Sequence, residues 1–341
     1  RGRDLIQVAP YVSRLTPQLL SVEAWGGATY DVALRFLGED PWQRLAQLRE
    51  ALPNLCIQML LRGRNTVGYT PYPTEVTDAF VAEAAATGVD IFRIFDALND
   101  VSQMKPAIDA VLKTKTAIAE VGLCYTADLL DPEEKLYTLD YYLRLAQQIV
   151  DAGAHIIAIK DMAGILNPYT AFELVTRLKA TLSIPIHMQC HATAGLSTAA
   201  IVKAVEAGID NVDTAISSLS MTYGHSPTES VVAIFQGSER DTGLDLLLLE
   251  EIAAYFREVR KKYAKFEGNL KGVDSRILVA QVPGGMLTNM EGQLKEQGAQ
   301  VGWLDAHTLH PPEFDDDWTA VLMDDVHLYN TEQHFYRNEL N

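Results

Sequence analysis

The amino-acid sequence predicts an α/β fold of the TIM (β/α)8 barrel class, and two observations support this prediction. Seven short apolar segments alternate with segments of helical periodicity between residues 21 and 235, which is typical of parallel strands joined by right-handed helical crossovers. The apolar segments are nearly continuous runs, as expected for strands that helices cover. An open doubly wound sheet is the alternative. No glycine-rich phosphate-binding fingerprint follows the first apolar segment, however, so the barrel is favoured.

The chain can be divided into strand–helix units in order. The predicted strands cover residues 21–27, 56–61, 90–95, 117–125, 155–160, 184–190 and 209–216. The predicted helices cover a first segment that breaks at Pro17, then 30–52 with a break at Pro41, 74–87, 100–113, 138–152, a segment opened by Pro168, 198–207 and a segment ending near Phe235. A closed barrel needs eight strands. The prediction is therefore a barrel that lacks its first strand.

The alternation stops after the barrel segment, which we assign to residues 1–237. Residues 238–299 carry amphipathic helical periodicity without another strand, which predicts a helical appendix packed against the barrel. Residues 300–341 are rich in Asp and Glu with a single basic residue, which predicts a divergent, solvated acidic tail.

Composition limits the possible functions. A formal net charge of −17 argues against a nucleic-acid footprint, because phosphate binding needs a basic face. No apolar run approaches the roughly 18–20 residues that span a bilayer, and the first residues lack the long apolar core of a signal peptide. Cys56, Cys124 and Cys190 are few, widely spaced and set in apolar runs. They predict reduced cysteines in a cytoplasmic protein.

Two segments concentrate residues capable of chemistry at predicted strand ends. In IIAIKDMAGIL (156–166), Lys160 ends an apolar strand, and in IPIHMQCHATAG (184–195), His187, Gln189 and His191 share one strand face. If the two strands are neighbours in a barrel, an amine and an imidazole converge at the C-terminal mouth, where such barrels hold their active sites. A surface lysine and a core histidine are the plainer interpretations. The coincidence at one mouth favours function.

Several longer motifs resemble the carboxyltransferase domain shared by biotin-dependent enzymes, which include pyruvate carboxylase, transcarboxylase and the alpha subunit of oxaloacetate decarboxylase. The resemblance rests on WGGAT (25–29), LLRGRNTVGY (60–69), FRIFDALND (92–100), KDMAGIL (160–166), DTAISSLSMTYGHSPTES (213–230) and QVPGGMLTN (281–289). Residues 257–268 and the run that contains QVPGGMLTN are most similar to the oxaloacetate decarboxylase alpha subunit. The resemblance spans residues 4–299 and does not include the tail.

The resemblance implies carboxyl transfer between pyruvate or oxaloacetate and biotin that a separate carrier domain supplies. It implies a divalent metal (Zn, Mn or Co) with Lys160, as a carbamate, and His191 among its ligands. Arg62 matches a catalytic and substrate-binding position, and Tyr69 and Met162 match the substrate and biotin pocket. It further implies a keto-acid substrate, a homo-oligomer and, for the decarboxylase, a membrane-subunit partner.

Departures from the family pattern accompany this resemblance, and two of them concern metal-ligand positions. Gln189 stands where the family has the first histidine of an H-x-H pair, and its amide oxygen is a weaker, harder ligand than imidazole. The chain as given also lacks the strand that supplies the family's aspartate ligand. The open alternatives are therefore a catalytically impaired carboxyltransferase-like scaffold and a related metal-dependent barrel of the aldolase type.

Overall fold

The computed structural model describes residues 2–126, 128–268 and 270–280. The strands are β1 (Ser21–Gly26), β2 (Cys56–Leu61), β3 (Ile91–Ile94), β4 (Ile118–Cys124), β5 (Ile156–Asp161), β6 (Ile186–Cys190) and β7 (Asn211–Val212). The α-helices are α1 (Gly2–Ser13), α2 (Gly27–Val32), α3 (Pro41–Ala51), α4 (Thr74–Thr87), α5 (Val101–Thr114), α6 (Leu139–Asp151), α7 (Pro168–Thr181), α8 (Ser197–Glu206), α9 (Thr228–Phe235), α10 (Leu246–Tyr263) and α11 (Ile277–Ala280).

The strands form one parallel sheet whose spatial order is the chain order, β1 to β7. A doubly wound sheet would reverse its strand order at a switch point, so this sequential order excludes that alternative. The curled sheet is consistent with a TIM barrel that lacks one strand, as predicted. Helices after successive strands cover its outer face, and α7 packs against α8 as neighbouring barrel helices do.

Several helices begin at a side chain that accepts a hydrogen bond from a first-turn N–H group, which satisfies an otherwise orphaned donor. These N-cap residues are Asp40, Asp100, Thr138, Asn167 and Asp245. Local sequence therefore fixes where these helices start, and the starts at Pro41, Val101, Leu139 and Pro168 lie within one residue of the predicted boundaries.

The two terminal strands of the sheet, β1 and β7, do not pair with each other. A cavity of about 880 Å³ lies between them and is lined by residues of both strands. Apolar side chains of α1 and α10, among them Val8, Ile252 and Phe256, close its outer side. In a closed eight-stranded barrel this is the position of the remaining strand.

The strands alternate between an apolar outer face and a polar inner face. Outward residues such as Ile57, Phe92 and Met188 are fully buried in the main hydrophobic core against the helices. The inward positions include Arg93 and Lys160, which are also buried. The interior of this sheet is thus lined by charged and polar groups, which suits a functional site. Burying such groups without hydrogen-bond or ion-pair partners would destabilise the fold.

The structure corrects the extent of the last strand. Residues 209–216 are predicted as a strand, but β7 contains only Asn211 and Val212, which pair with His187 and Met188 of β6. Its other edge has no neighbour among the described residues, so pairing from one side alone holds it. The chain then turns at Asp213, whose side chain enters the interior.

The first part of the predicted helical appendix is α10, which packs against α1 and α9. Residues 281–299 of that appendix and the acidic tail, 300–341, lie outside the described residues. The division into three regions therefore stays a prediction. Within the described ranges, no helix is both long enough and apolar enough to span a bilayer.

Candidate active site

Lys160 lies at the C-terminal end of β5, directly opposite Gln189 of β6. Its side chain is 4% exposed, and its Nζ donates a hydrogen bond of 2.5 Å to Oε1 of Gln189. Nζ is also 5.0 Å from the centre of the Phe95 ring. No carboxylate among the described residues forms an ion pair with this amine. Burial therefore lowers the pKa of Lys160 and favours the neutral amine.

The turn that follows Lys160 is fixed by Asp161. Its carboxylate accepts hydrogen bonds from the backbone N–H groups of Gly164, Ile165 and Leu166 at 2.8–3.1 Å. Gly164 has a φ of 73°, and a Cβ at this position would lie 2.4 Å from the carbonyl oxygen of His191. Only glycine fits there. The turn after β5 is thus held against the end of β6, and both Asp161 oxygens are engaged in this structural role.

His191 presents one ring nitrogen as a potential ligand. Its Nδ1 lies 2.7 Å from the carbonyl oxygen of Tyr223, so Nδ1 carries the proton and donates to that oxygen. The lone pair is then on Nε2, which is the usual arrangement of a metal-binding histidine. Burial, with the nearby His225 and Lys160, lowers the pKa of His191 to about 3. The imidazole is therefore neutral at physiological pH.

A second imidazole lies beside His191. The ring centres of His191 and His225 are 4.6 Å apart, with an angle of 34° between the ring planes. Nε2 of His225 is buried and has no hydrogen-bond partner among the described residues. Burial lowers the pKa of His225 to about 4, so this ring is also neutral. We refer to Lys160, Gln189, His191 and His225 as the mouth cluster.

A different set of charged side chains occupies the interior below the mouth cluster. Buried Arg93 forms ion pairs with Glu120 and Asp213. His187 bridges the same two carboxylates, with Nδ1 at 2.9 Å from Glu120 and Nε2 at 2.8 Å from Asp213. We call Arg93, Glu120, His187 and Asp213 the charge network. His187 is two residues before Gln189, roughly 7 Å deeper along the strand.

The charge network shifts the pKa values of its own members. Although burial opposes a charge on His187, the Asp213 and Glu120 carboxylates raise its pKa to about 9. The pKa of Asp213 lies well below its usual value, because Arg93 and His187 outweigh the opposing effect of burial. Two cations therefore face two carboxylates. Each partner offsets the desolvation cost of the others.

Arg62 follows β2 and lines the cavity between β1 and β7. Its Nη1 donates to the carbonyl oxygens of Val67 and Gly68 at 3.1 and 3.2 Å. Its guanidinium carbon lies 4.6 Å from the centre of the Tyr69 ring. The loop after β2 thereby holds the guanidinium in place. Among the described residues, neither Nε nor Nη2 has a hydrogen-bond acceptor. This edge of the guanidinium is therefore available to bind a carboxylate.

The predicted site residues fall into two groups. The structure brings Lys160, Gln189 and His191 together at the ends of β5 and β6, and it brings Arg62 and Tyr69 together after β2. Met162 lies half-buried in the turn after β5, next to Asp161, and is not among the residues that line the cavity. The assignment of roles to these residues stays a prediction.

Sequence reasoning did not single out His225 or the partners of Arg93. His225 lies in a loop 34 positions beyond His191, and no ligand spacing connects the two. Asp213 lies 120 positions beyond Arg93. One signal was available for Arg93: an arginine in the middle of the apolar strand FRIF needs buried carboxylate partners.

The described residues contain no group of three or more His, Cys, Asp and Glu side chains placed to hold a metal ion. The mouth cluster nevertheless offers a different donor set. His191 and His225 are neutral imidazoles, Gln189 offers an amide oxygen, and Lys160 becomes an oxygen donor if its amine is carbamylated. The orphaned Nε2 of His225 fits such a group, because a buried nitrogen without a partner is otherwise costly. The residues present therefore fit a divalent ion.

Comparisons with known proteins agree with the fold and the motifs. A profile of the HMGL-like family matches residues 74–255. The chain is 47% identical over 300 residues to a pyruvate carboxylase subunit of Methanocaldococcus jannaschii, covering 88% of this chain and 51% of that protein. It is 47% identical over 282 residues to the methylmalonyl-CoA carboxyltransferase 5S subunit of Propionibacterium freudenreichii subsp. shermanii, covering 82% of this chain and 54% of that protein.

A solved structure extends this similarity to three dimensions. The carboxyl transferase domain of Rhizobium etli pyruvate carboxylase, solved with pyruvate and biocytin, superposes with a TM-score of 0.87 at 46% identity, covering 89% of this chain and 51% of that one. The chain thus spans about half the length of these relatives. The particular resemblance to the oxaloacetate decarboxylase alpha subunit stays a prediction. The chain belongs to the HMGL-like family, and its relatives are carboxyltransferases of the pyruvate carboxylase and transcarboxylase type.

Proposed function

We propose that the barrel mouth transfers a carboxyl group between carboxybiotin and a keto acid, with oxaloacetate and pyruvate as the pair of substrates. The observation that carries the proposal is Lys160, a buried lysine without a carboxylate partner among the described residues, at the end of β5. The relatives support the same chemistry, since one was solved with pyruvate and biocytin. The divalent ion, the carrier domain, any oligomer and any membrane subunit belong to this proposal.

Lys160 is suited to carbamylation. Burial lowers its pKa, so a larger fraction of its amine is neutral and nucleophilic than for an exposed lysine. The Nζ lone pair adds to the carbon of CO2, an N–C bond forms as one C=O π bond opens onto its oxygen, and one amine proton leaves to solvent. The product is a carbamate whose negative charge is shared by two oxygens. It turns a poor ligand into a carboxylate-like donor of the kind that divalent ions accept.

In this proposal His191, Gln189 and the Lys160 carbamate hold the divalent ion. The bound ion would act as a Lewis acid that stabilises the enolate character of pyruvate when the carboxyl group departs. The hydrogen bond from His191 Nδ1 to the Tyr223 carbonyl fixes the ring orientation. The Asp161 turn holds the end of β5 in register with β6. The chain's own contribution is thus preorganisation of the donors.

Arg62 would bind the carboxylate of the keto acid. Its Nη1 is committed to the carbonyls of the loop after β2, while Nε and Nη2 have no acceptor among the described residues and Arg62 lines the cavity. The Tyr69 ring stacks against the guanidinium, which restricts the rotation of the guanidinium.

In the decarboxylation direction the C–C bond to the departing carboxyl group breaks, an N–C bond to biotin forms, and the biotin proton ends on the methyl carbon of pyruvate. Arg62 would hold the substrate through this exchange.

The test is decarboxylation of oxaloacetate by the purified chain, measured as pyruvate formed with and without free biotin. We expect free biotin to stimulate the rate of the wild-type protein. In Lys160→Ala, we expect the biotin-stimulated rate to fall by at least about a hundredfold. Lys113→Ala is the matched control, because Lys113 is an exposed lysine that pairs with Asp78 far from the mouth. Equal rates in Lys160→Ala and wild type would overturn the proposal. Binding of a biotinylated carrier without turnover would favour the impaired scaffold instead.

A further inference from the structure

We propose that His225 is a second imidazole ligand of the divalent ion at the mouth, paired with His191. This inference rests on the proposed function, because it assumes that the mouth cluster binds an ion. It goes beyond the family resemblance, which implies only Lys160, His191 and the position of Gln189. His225 lies in the loop between β7 and α9, apart from the strands that supply those residues.

The first argument is the unsatisfied nitrogen. Nε2 of His225 is buried, and no described donor or acceptor reaches it. Leaving a buried polar group unpaired costs about 1–3 kcal/mol, so a histidine with a purely structural role would be expected to find a partner. His187 of the charge network does so, because both of its nitrogens contact carboxylates. An ion at the mouth would satisfy the His225 nitrogen in the same way.

The second argument is geometry. Two imidazoles that bind one ion at roughly 2.1 Å through their nitrogens, at an angle of about 90–110°, have ring centres about 4.5–5.2 Å apart. The ring centres of His191 and His225 are 4.6 Å apart. His225 also lines the cavity together with Gln189 and Arg62. The pair therefore already has the spacing of two ligands, and its His225 member opens onto the cavity that the substrate would enter.

The third argument is that the backbone holds His225 in this position. His191 and His225 form an isolated antiparallel bridge, and the His225 carbonyl accepts from the Met221 N–H at 2.8 Å. The next residue, Ser226, is fully buried and its hydroxyl bonds to Ser197 and Thr198 at the start of α8. The loop is thus anchored on both sides of the imidazole. Such support is what a preorganised ligand requires.

The same loop contains backbone strain. Met221 and Thr222 adopt φ values of 59° and 53°, in the left-handed region that residues with a side chain seldom occupy. Such conformations persist where the surroundings determine them, and they are concentrated at binding and catalytic sites. The strained segment leads directly to Tyr223, whose carbonyl orients His191, and then to His225. One loop therefore positions both imidazoles.

The test is Co²⁺ binding, followed by calorimetry and by the visible absorption of the bound ion, on wild type, His225→Gln and His155→Gln. His155 is the matched control, because it is an exposed histidine just before the N-terminal end of β5, opposite the mouth. His225→Gln should weaken Co²⁺ binding by at least about tenfold and alter the absorption bands, whereas His155→Gln should do neither. Urea midpoints of the two variants check that both proteins are folded.

X-ray absorption of the wild-type protein loaded with Zn²⁺ provides a second measurement that needs no variant. Scattering from two imidazoles per ion supports the inference. One imidazole, or Co²⁺ binding to His225→Gln within about twofold of wild type, overturns it while leaving the metal site of the proposed function intact. If wild type binds no ion at all, both the inference and the metal centre of the proposed function fail.

Discussion

The charge network and the mouth cluster line the same barrel interior, but they differ in how many interaction partners their polar groups have. In the charge network, Arg93 and His187 each contact both Glu120 and Asp213. In the mouth cluster, Lys160 has one amide acceptor, and His225 Nε2 has no partner within the described part of the chain. The charge network and the mouth cluster are therefore two layers, two residues apart along the strand, with different roles. The paired layer stabilises the fold, and the unpaired layer is available to bind.

The largest expected effect is on the paired layer. Arg93→Met should lower the free energy of unfolding by about 3–5 kcal/mol, because it leaves Glu120 and Asp213 with His187 as the one remaining cation of the charge network. Urea unfolding measures this change. Arg35→Met is the control, because Arg35 is a mostly exposed arginine paired with Asp31, and its loss should cost less than about 1 kcal/mol. A similar small cost for both variants would remove the distinction between the layers.

The next effect is a pH dependence of stability that originates in His187. Its pKa is about 9 in the folded protein and 6.5 when unperturbed. Because the folded state binds this proton more tightly, the contribution is fully present below pH 6.5 and is lost as the pH rises through 9. The loss is up to about 3 kcal/mol. Urea midpoints between about pH 6 and 9.5 should fall in wild type and stay flatter in His187→Gln. Parallel profiles would contradict the assignment.

A smaller change should sharpen the comparison at the mouth. Gln189→His replaces a neutral amide oxygen by an imidazole, a stronger ligand for Zn²⁺ and Co²⁺. We expect this variant to bind Co²⁺ about tenfold more tightly, equivalent to about 1.4 kcal/mol. Calorimetric titration measures the change, with wild type as the reference. Weaker binding would indicate that the hydrogen bond from Lys160 to Gln189 supports the site as it stands.

The smallest expected effect on stability belongs to Lys160. Lys160→Met removes a buried amine that has only one hydrogen-bond acceptor, so the free energy of unfolding should change by less than about 1 kcal/mol or increase slightly. Metal content, measured by elemental mass spectrometry, should nevertheless fall. A large loss of stability would mean that Lys160 is structural, in the manner of Arg93.

The sequence predicted those parts of the molecule that local patterns determine. The strand ends at Lys160 and Cys190 followed from where the apolar runs stop, and helix starts such as the one at Pro168 followed from helical periodicity and proline. The sequential strand order also followed, because parallel strands with helical crossovers leave few topologies. Seven units in the sequence correspond to seven strands in the sheet.

Contacts between distant segments could not be predicted in this way. The pairing of Arg93 with Asp213 and of His191 with His225 depends on how the sheet curls and where one loop folds back. The predicted length of β7 was wrong for a related reason, because an apolar run does not reveal whether both of its edges have neighbours. Periodicity describes a single element, whereas these features depend on how the whole sheet curls.

The most direct test of the account is whether Lys160 forms a carbamate. We would equilibrate the protein with ¹³C-labelled bicarbonate and a divalent ion, transfer it to unlabelled buffer, and record its ¹³C NMR spectrum beside that of Lys160→Met. The account predicts one slowly exchanging carbamate resonance in wild type that is absent from the variant. A wild-type spectrum without this resonance, or the same resonance in Lys160→Met, would contradict the claim that the unpaired mouth cluster is built to bind.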